Sequence, residues 1–263
     1  MLKRIYYTLL SILRNINTSI AHKKFLKGKR KRYRYGDEIF CTTKEELKLI
    51  EKEYTNIDFW KAQQNYTLST IFPVRFLNQY KMIFEDFLPR INYKESEIID
   101  IGCAAGEWTI KLSPYCKHID GFEYSDNMCK TAINMWKDKK NVSFYQSDAR
   151  SINYQKKYDA AMLLGILMYM EDFEDIYMIL KNLHDNIKDN GLVVTKDTLN
   201  AEDKDVVYLF NRMNGYKGNY WSQEIYYKQF ERAGFKIEKE ILLEDVYSKN
   251  MHFISRGCIW KKI

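Results

Sequence analysis

The sequence predicts an α/β fold: a mostly parallel sheet with helices on both faces, preceded by a helical extension. Three observations carry that expectation. From Glu97 onward, short runs of β-branched and aromatic residues alternate with amphipathic stretches. The first of these runs, Glu97-Ile98-Ile99-Asp100-Ile101, passes directly into the small-residue turn Gly102-Cys103-Ala104-Ala105-Gly106. The composition, 46% apolar and 15% aromatic over 263 residues, is that of a chain able to bury a large core.

Taken in order, the strands are expected at Glu97–Ile101, His118–Glu123, Val142–Gln146, 159–164 and 192–196, with helices starting at Glu107, Asp126 and Phe173. An Ile-rich run with little alternation suits a strand covered on both faces. After Leu199 the pattern changes to a polar, aromatic insert at 200–221. A helix over 222–233, Gly234, and two late strands near 236–243 and 252–260 follow. Residues 37–95, rich in Tyr, Phe and Trp and interrupted by Pro73, read as an N-terminal helical cap. The organisation is thus a basic arm (1–36), the cap (37–95), and a main domain (96–263) carrying the insert.

The charge is unevenly placed. The first 36 residues hold eleven Lys/Arg and no Asp or Glu, so the remaining chain, with 31 basic and 35 acidic residues, is net −4. A broad nucleic-acid groove across the main body is therefore disfavoured. Leu2, Ile5, Tyr6, Leu9, Leu13 and Ile16 recur at helical spacing beside Lys3, Arg4 and Arg14. The arm reads either as a helix packed on the core or as a peripheral contact with an anionic membrane surface. It is too short and too interrupted for a membrane span, and no signal-peptide cleavage pattern follows. The five cysteines are odd in number and form no C-x-x-C pair, which argues against a disulfide framework or a structural zinc site. A cytoplasmic location, peripheral at the inner face of the membrane if the arm binds lipid, is the expectation.

Four stations fall at consecutive strand ends. Asp100 precedes the turn Gly102-Cys103-Ala104-Ala105-Gly106; Glu123 ends Gly121-Phe122-Glu123 and leads into Tyr124-Ser125-Asp126-Asn127-Met128; Asp148 and Ala149 follow the third strand; Leu164 and Gly165 follow the fourth. Singly, each has a plain reading, such as a helix cap at Asp126 or a turn cap at Asp148. Together and in order they resemble the cofactor loops of Rossmann-like class I S-adenosylmethionine (SAM) methyltransferases, whose seven-stranded sheet ends in an antiparallel strand. The resemblance covers roughly residues 91–263. It implies SAM as cofactor and S-adenosylhomocysteine (SAH) as product. Asp100, Gly102, Cys103, Ala104 and Gly106 would lie at the methionine moiety, and Glu123 would accept from the ribose hydroxyls. Tyr124, Ser125 and Met128 would lie beside the adenosine, Asp148 and Ala149 at the adenine edge, and Leu164 and Gly165 at the sulfonium. A nicotinamide site is the natural competitor, but its third glycine falls at Glu107, whose carboxylate would repel a pyrophosphate.

A sulfonium already makes its methyl group electrophilic, so the protein must chiefly align a lone pair and exclude water. Tyr169, Asp197 and His252 are the candidate catalytic groups. Aromatic lining is the plain reading of Tyr169, and a structural cap that of Asp197. The insert, with Asn211, Arg212, Asn214, Tyr216, Tyr220 and Trp221, reads as an acceptor lid or as a helical hairpin with a Tyr-rich core. Lys196, Arg212 and Lys217 are candidates for pairing with phosphate. No acid or histidine cluster has metal-ligand spacing, so no metal is expected. The fourth station lacks the N-P-P-Y or D-P-P-Y of base amino methylation, and no P-C nucleophile is present. The stretch from Lys196-Asp197-Thr198-Leu199 through Asn214-Gly215-Tyr216 and Tyr220-Trp221 to Ala233-Gly234-Phe235 is similar to small methyltransferases of bacterial capsule and surface-glycan biosynthesis. That resemblance implies a small or glycan-linked acceptor, methylated on a sugar or on a substituent such as phosphoramidate. An RNA or protein methyltransferase, or a binding subunit without turnover, are the alternatives.

Overall fold

The computed structural model describes residues 2–54, 59–62, 73–202, 206–248 and 251–263. The chain opens with α1 (Leu2–Leu26), the strands β1 (Arg32–Tyr35) and β2 (Glu38–Cys41), α2 (Lys44–Glu53), the single turn α3 (Phe59–Ala62), and α4 (Pro73–Lys81), which runs into a π-helical turn at Met82–Phe87. The α/β part follows: β3 (Glu97–Ile101), α5 (Glu107–Leu112), β4 (His118–Glu123), α6 (Asp126–Trp136), β5 (Val142–Gln146), β6 (Tyr158–Leu164), α7 (Phe173–Asn186) and β7 (Ile187–Asn200). The chain ends with β8 (Val206–Asn211), β9 (Lys217–Trp221), α8 (Gln223–Arg232), β10 (Phe235–Ser248) and β11 (Met251–Lys262).

The main sheet has seven strands in the order β10-β11-β7-β6-β3-β4-β5. β3 pairs in parallel with β4 and β6, and β11 runs antiparallel to both β7 and β10. The sheet is therefore parallel except for its last strand, as the sequence predicts. Burial on both faces explains the unbroken Ile run of β3. Ile99 and Ile101 join a core with α7 and α8, whereas Ile98 joins a core with Trp108, Met82 and Phe87. In the first core the rings of Phe230 and Trp260 stack with centroids 4.0 Å apart and 7° between their planes. Full burial of a side chain like Phe230 contributes about 1.5–3 kcal/mol.

Helix starts follow ordinary capping chemistry. Ser125 Oγ accepts from Met128 N (3.3 Å), Asp172 from Asp175 N (2.9 Å) and Ser222 from Ile225 N (3.4 Å). The α6 cap is thus Ser125 and not Asp126, which lies in the first turn, where its charge favours the helix dipole.

Two expectations about secondary structure are corrected. The stretch 37–95 is not wholly helical, because β2 belongs to it, and the insert 200–221 is a β-hairpin rather than a pair of helices. Together with β1, which lies at the end of the basic arm, the two form one antiparallel sheet, β1-β2-β8-β9. The hairpin β1–β2 turns over Gly36-Asp37, with Tyr35 opposite Glu38 and Gly36 at φ +59°. The side chains of Phe25, Tyr33, Phe40 and Leu209 pack with Phe253, so this second sheet rests against the far end of β11. Positions 55–58 and 63–72 of the expected cap, and 203–205 of the insert, lie outside the described residues.

Candidate functional site

The parallel strands end together on one edge of the main sheet, where loops leave a crevice suited to a ligand. There lies a cavity of about 730 Å³, within the range of small-molecule sites, roofed by β2, β8 and β9. Its floor is built from the four stations read in the sequence.

At the first station, Gly102 N and Cys103 N both donate to Phe122 O (2.7 and 3.1 Å), which folds the loop back across the tip of β4. Gly102 sits at φ +75°, and a Cβ there would stand 2.2 Å from Ile166 Cγ2, so no side chain fits between the first and fourth stations. Asp100 is 2% exposed, lines the cavity, and accepts from Thr109 Oγ1 at 2.7 Å. Burial pushes its carboxyl up to about 7, against the Thr109 hydrogen bond and helped by the nearby Glu123 charge.

Glu123, 5% exposed, joins the first two stations. Its Oε2 accepts from Ala104 N at 2.8 Å and its Oε1 from Ser125 N at 2.7 Å. The carboxylate is held across the loop by backbone N–H groups and faces the cavity, where it can accept from a hydroxyl-bearing guest. Burial raises its pKa above the ordinary carboxylate value, while backbone N–H groups at Ser125, Ala104 and Tyr124 pull it down. Neither Asp100 nor Glu123 has a cationic partner among the described residues.

Tyr124 and Met128 line the cavity beside Glu123. Asp148 and Ala149 border its far end. Asp148 caps the short turn after β5, accepting from Arg150 N (2.9 Å) and pairing with the Arg150 guanidinium (2.6 Å), which holds its carboxyl below the usual value. Cys103, Ala104, Leu164 and Gly165 also line the cavity. Gly106 and Ser125 do not. Gly106, at φ +83°, turns the chain into α5 and donates to Cys103 O, and Ser125 caps α6, so both shape the site without facing it.

Of the three candidate catalytic groups, only Tyr169 faces the cavity. Its hydroxyl is 3.4 Å from that of Tyr216, and its ring lies 4.7 Å from Trp60, both of which also line the chamber. The structure does not bring Asp197 to the cavity. Alternation along β7 points it to the opposite face, where it is 1% exposed and accepts from Met168 N (3.1 Å) and Tyr226 Oη (2.8 Å). It positions the loop that carries Tyr169. His252 is also outside the cavity lining: it is hydrogen-bonded to Asp245 at 2.6 Å and stacked on Tyr247. Accordingly, Asp197→Asn should lower stability by about 1 kcal/mol in denaturant unfolding, by weakening one of two buried bonds, and leave SAH affinity unchanged. Loss of SAH binding with the fold intact would return Asp197 to the site.

Sequence reading missed the contribution of the N-terminal segment. Glu38, Phe40, Phe59, Trp60 and Arg75 all line the cavity, and no local motif marks them. Lys196, considered in the sequence only as a charge for phosphate, is 4% exposed and lines the cavity beside Gly165. Among the described residues, no group of three His, Cys, Asp or Glu side chains is arranged to hold a metal.

A family model described as "Methyltransferase domain" matches residues 75–240. Nodulation protein S of Sinorhizobium fredii is 26% identical over 103 residues, 39% of this chain and 48% of that protein. The demethylmenaquinone methyltransferase of Lactococcus lactis is 31% identical over 107 residues, 38% and 41% respectively. The chain thus spans about half the length of the curated relatives it matches. Among solved structures, the N-methyltransferase NodS of Bradyrhizobium japonicum in complex with SAH has a TM-score of 0.58 at 17% identity, covering 80% of this chain and 97% of that one. A Methanosarcina mazei SAM-dependent methyltransferase also scores 0.58, at 12% identity, covering 68% and 97%. At such identities the structures speak for the fold, and the matched model speaks for the family: the chain belongs to the methyltransferase-domain family, on the fold of the class I SAM-dependent methyltransferases.

Proposed function

We propose that the chain transfers a methyl group from SAM to a small polar acceptor, a sugar or glycan substituent of the kind found in bacterial surface polysaccharides. One observation carries the donor assignment: two buried carboxylates, Asp100 and Glu123, face one cavity at successive strand tips with no cationic partner among the described residues. A guest with a positive charge and paired hydroxyls compensates both, and SAM has an ammonium, a sulfonium and a ribose diol. The donor supplies the electrophilic methyl group. The protein's part is to seat the diol on Glu123, present the ammonium to Asp100 and keep water out beneath the second sheet.

The acceptor reading rests on the chamber above that floor. Trp60, Tyr169, Tyr216 and Tyr220 offer flat aromatic faces, and Asn211 and Asn214 offer amides, a combination that suits a hydroxylated ring. The test is a panel of nucleotide sugars and glycan intermediates incubated with SAM, read by mass spectrometry for a gain of about 14 Da. A methylated sugar supports the reading. SAH binding without product from any acceptor makes the chain a binding subunit, and steeply salt-dependent RNA affinity makes it an RNA enzyme.

The same reading extends to α1. Ile5, Leu9, Ile12, Leu13, Ile16 and Ile20 are each about half exposed, while His22 and Phe25 at its other end are buried against the second sheet. No described helix is long and apolar enough to cross a membrane. With eleven cations and no acid in residues 1–36, an anionic lipid surface is the matching occupant, and a second, equally basic copy is repelled. Removal of residues 1–20, which spares His22, Phe25 and β1, should reduce binding to phosphatidylglycerol vesicles at least tenfold without altering SAH affinity. Undiminished vesicle binding would refute the anchor.

A further inference from the structure

A buried lysine ammonium without a counter-ion calls for explanation, because desolvation of an unpaired charge costs several kcal/mol. Lys196 is in that position. It is 4% exposed at the C-terminal end of β7, on the face that looks into the cavity, and no described residue forms a hydrogen bond or ion pair with its Nζ. A methyl group added at Gly165 would lie 3.4 Å from that Nζ, which places the ammonium at the fourth station, beside the expected sulfonium end of the site.

The charged groups that act on it are few. Arg75 on α4 lines the same cavity and disfavours the lysine's charge, but Arg75 is itself paired to Glu244 at 2.6 Å. Asp197 lies on the opposite face of the sheet, held by Tyr226 and Met168. Asp197 and Glu244 favour the ammonium, yet burial is the largest influence and holds the Lys196 pKa below its ordinary value. Asp100 is held by Thr109 at the first station, whereas Lys196 lies beside Gly165 at the fourth. Thr198, one alternation further along β7, continues the same face towards Val246 and Phe253 under the second sheet.

We propose that Lys196, backed by Arg75, receives an oxyanion of the acceptor, a carboxylate or phosphate carried by the group to be methylated. This rests on the methyl-transfer reading and narrows it: the acceptor is acidic, and its negative charge is seated next to the donor. A neutral acceptor would leave the lysine as it stands, buried and uncompensated. An oxyanion gives it a charge-assisted bond and draws a proton onto it.

Both the donor and the acceptor carry oxyanions, and the test separates them. Calorimetry of SAH and of 5′-methylthioadenosine, which lacks the amino-acid end, is performed on the unaltered protein and on Lys196→Met, with Lys196→Gln as the second variant should the first not fold. The expected result is SAH affinity within twofold of the unaltered protein. A tenfold loss for SAH with none for methylthioadenosine would hand the lysine to the donor carboxylate and overturn the proposal. In SAH-saturated protein labelled with ¹³C at lysine Cε, the signal missing from the variant reports Lys196. Inorganic phosphate or acetate should raise its titration midpoint by about one pH unit or more, and an unmoved midpoint overturns the proposal. Failure of the unaltered protein to bind SAH would instead refute the methyltransferase reading.

Discussion

Glu123→Ala is expected to reduce SAH and SAM affinity at least a hundredfold, about 3 kcal/mol, in calorimetric titration. The size follows from the double duty of one side chain. The carboxylate is the proposed partner of both ribose hydroxyls, and hydrogen bonds to a charged acceptor contribute about 1.5–3 kcal/mol each. It also accepts from Ala104 N and Ser125 N, so alanine leaves two buried donors of the cofactor loop without their partner. Glu123→Gln keeps the shape and one acceptor oxygen, and should fall between the two. A folded alanine variant with unchanged affinity would remove Glu123 from the donor site, and with it the bridge between the first and second stations.

Much of this site was legible in the sequence because each station is local. A strand, an acid at its tip and a small-residue turn occupy fewer than a dozen consecutive residues, and the parallel topology then gathers the tips on one edge without further instruction. The form of the roof was less apparent, though its signals were present. Val206-Val207-Tyr208-Leu209-Phe210 is a strand-like run followed by Asn214-Gly215, and Tyr33 to Phe40 flank Gly36-Asp37, both of them hairpin punctuation. Basic and aromatic composition obscured that pattern. The packing of Trp60 against Tyr169 depends on contact between residues more than a hundred positions apart, which no local pattern encodes.

Lys196 and Asp197 show the limit most sharply. They are neighbours at the tip of β7, and the side-chain period of a strand sends one to the cavity and the other to the helices behind the sheet. The chemically attractive residue in the sequence was the carboxylate. A one-residue difference in register separates the two outcomes, and the burial pattern, with Val193 and Leu199 on one side and Val194 on the other, decides between them.

SAM affinity should be greatest above pH 7 and fall by up to tenfold for each pH unit below it, reaching about a hundredfold between pH 8 and pH 5. The group responsible is Asp100, whose buried carboxyl stands at about 7 against an ordinary 3.8. The bound ammonium needs the ionised form, so binding below pH 7 must first expel a proton. The stability of the ligand-free protein runs the other way. A carboxyl whose folded pKa is raised holds its proton more tightly folded than unfolded, so its contribution diminishes as pH rises from about 4 to about 7 and is lost above that window. Donor binding offsets this loss, and the rise in Tm on adding SAM should therefore be larger at pH 8 than at pH 6. Asp100→Asn should flatten both profiles at reduced affinity, because the amide neither ionises nor carries the charge that attracts the ammonium. A pH-independent affinity in the unaltered protein would mean that Asp100 is not in contact with the cationic end of the donor.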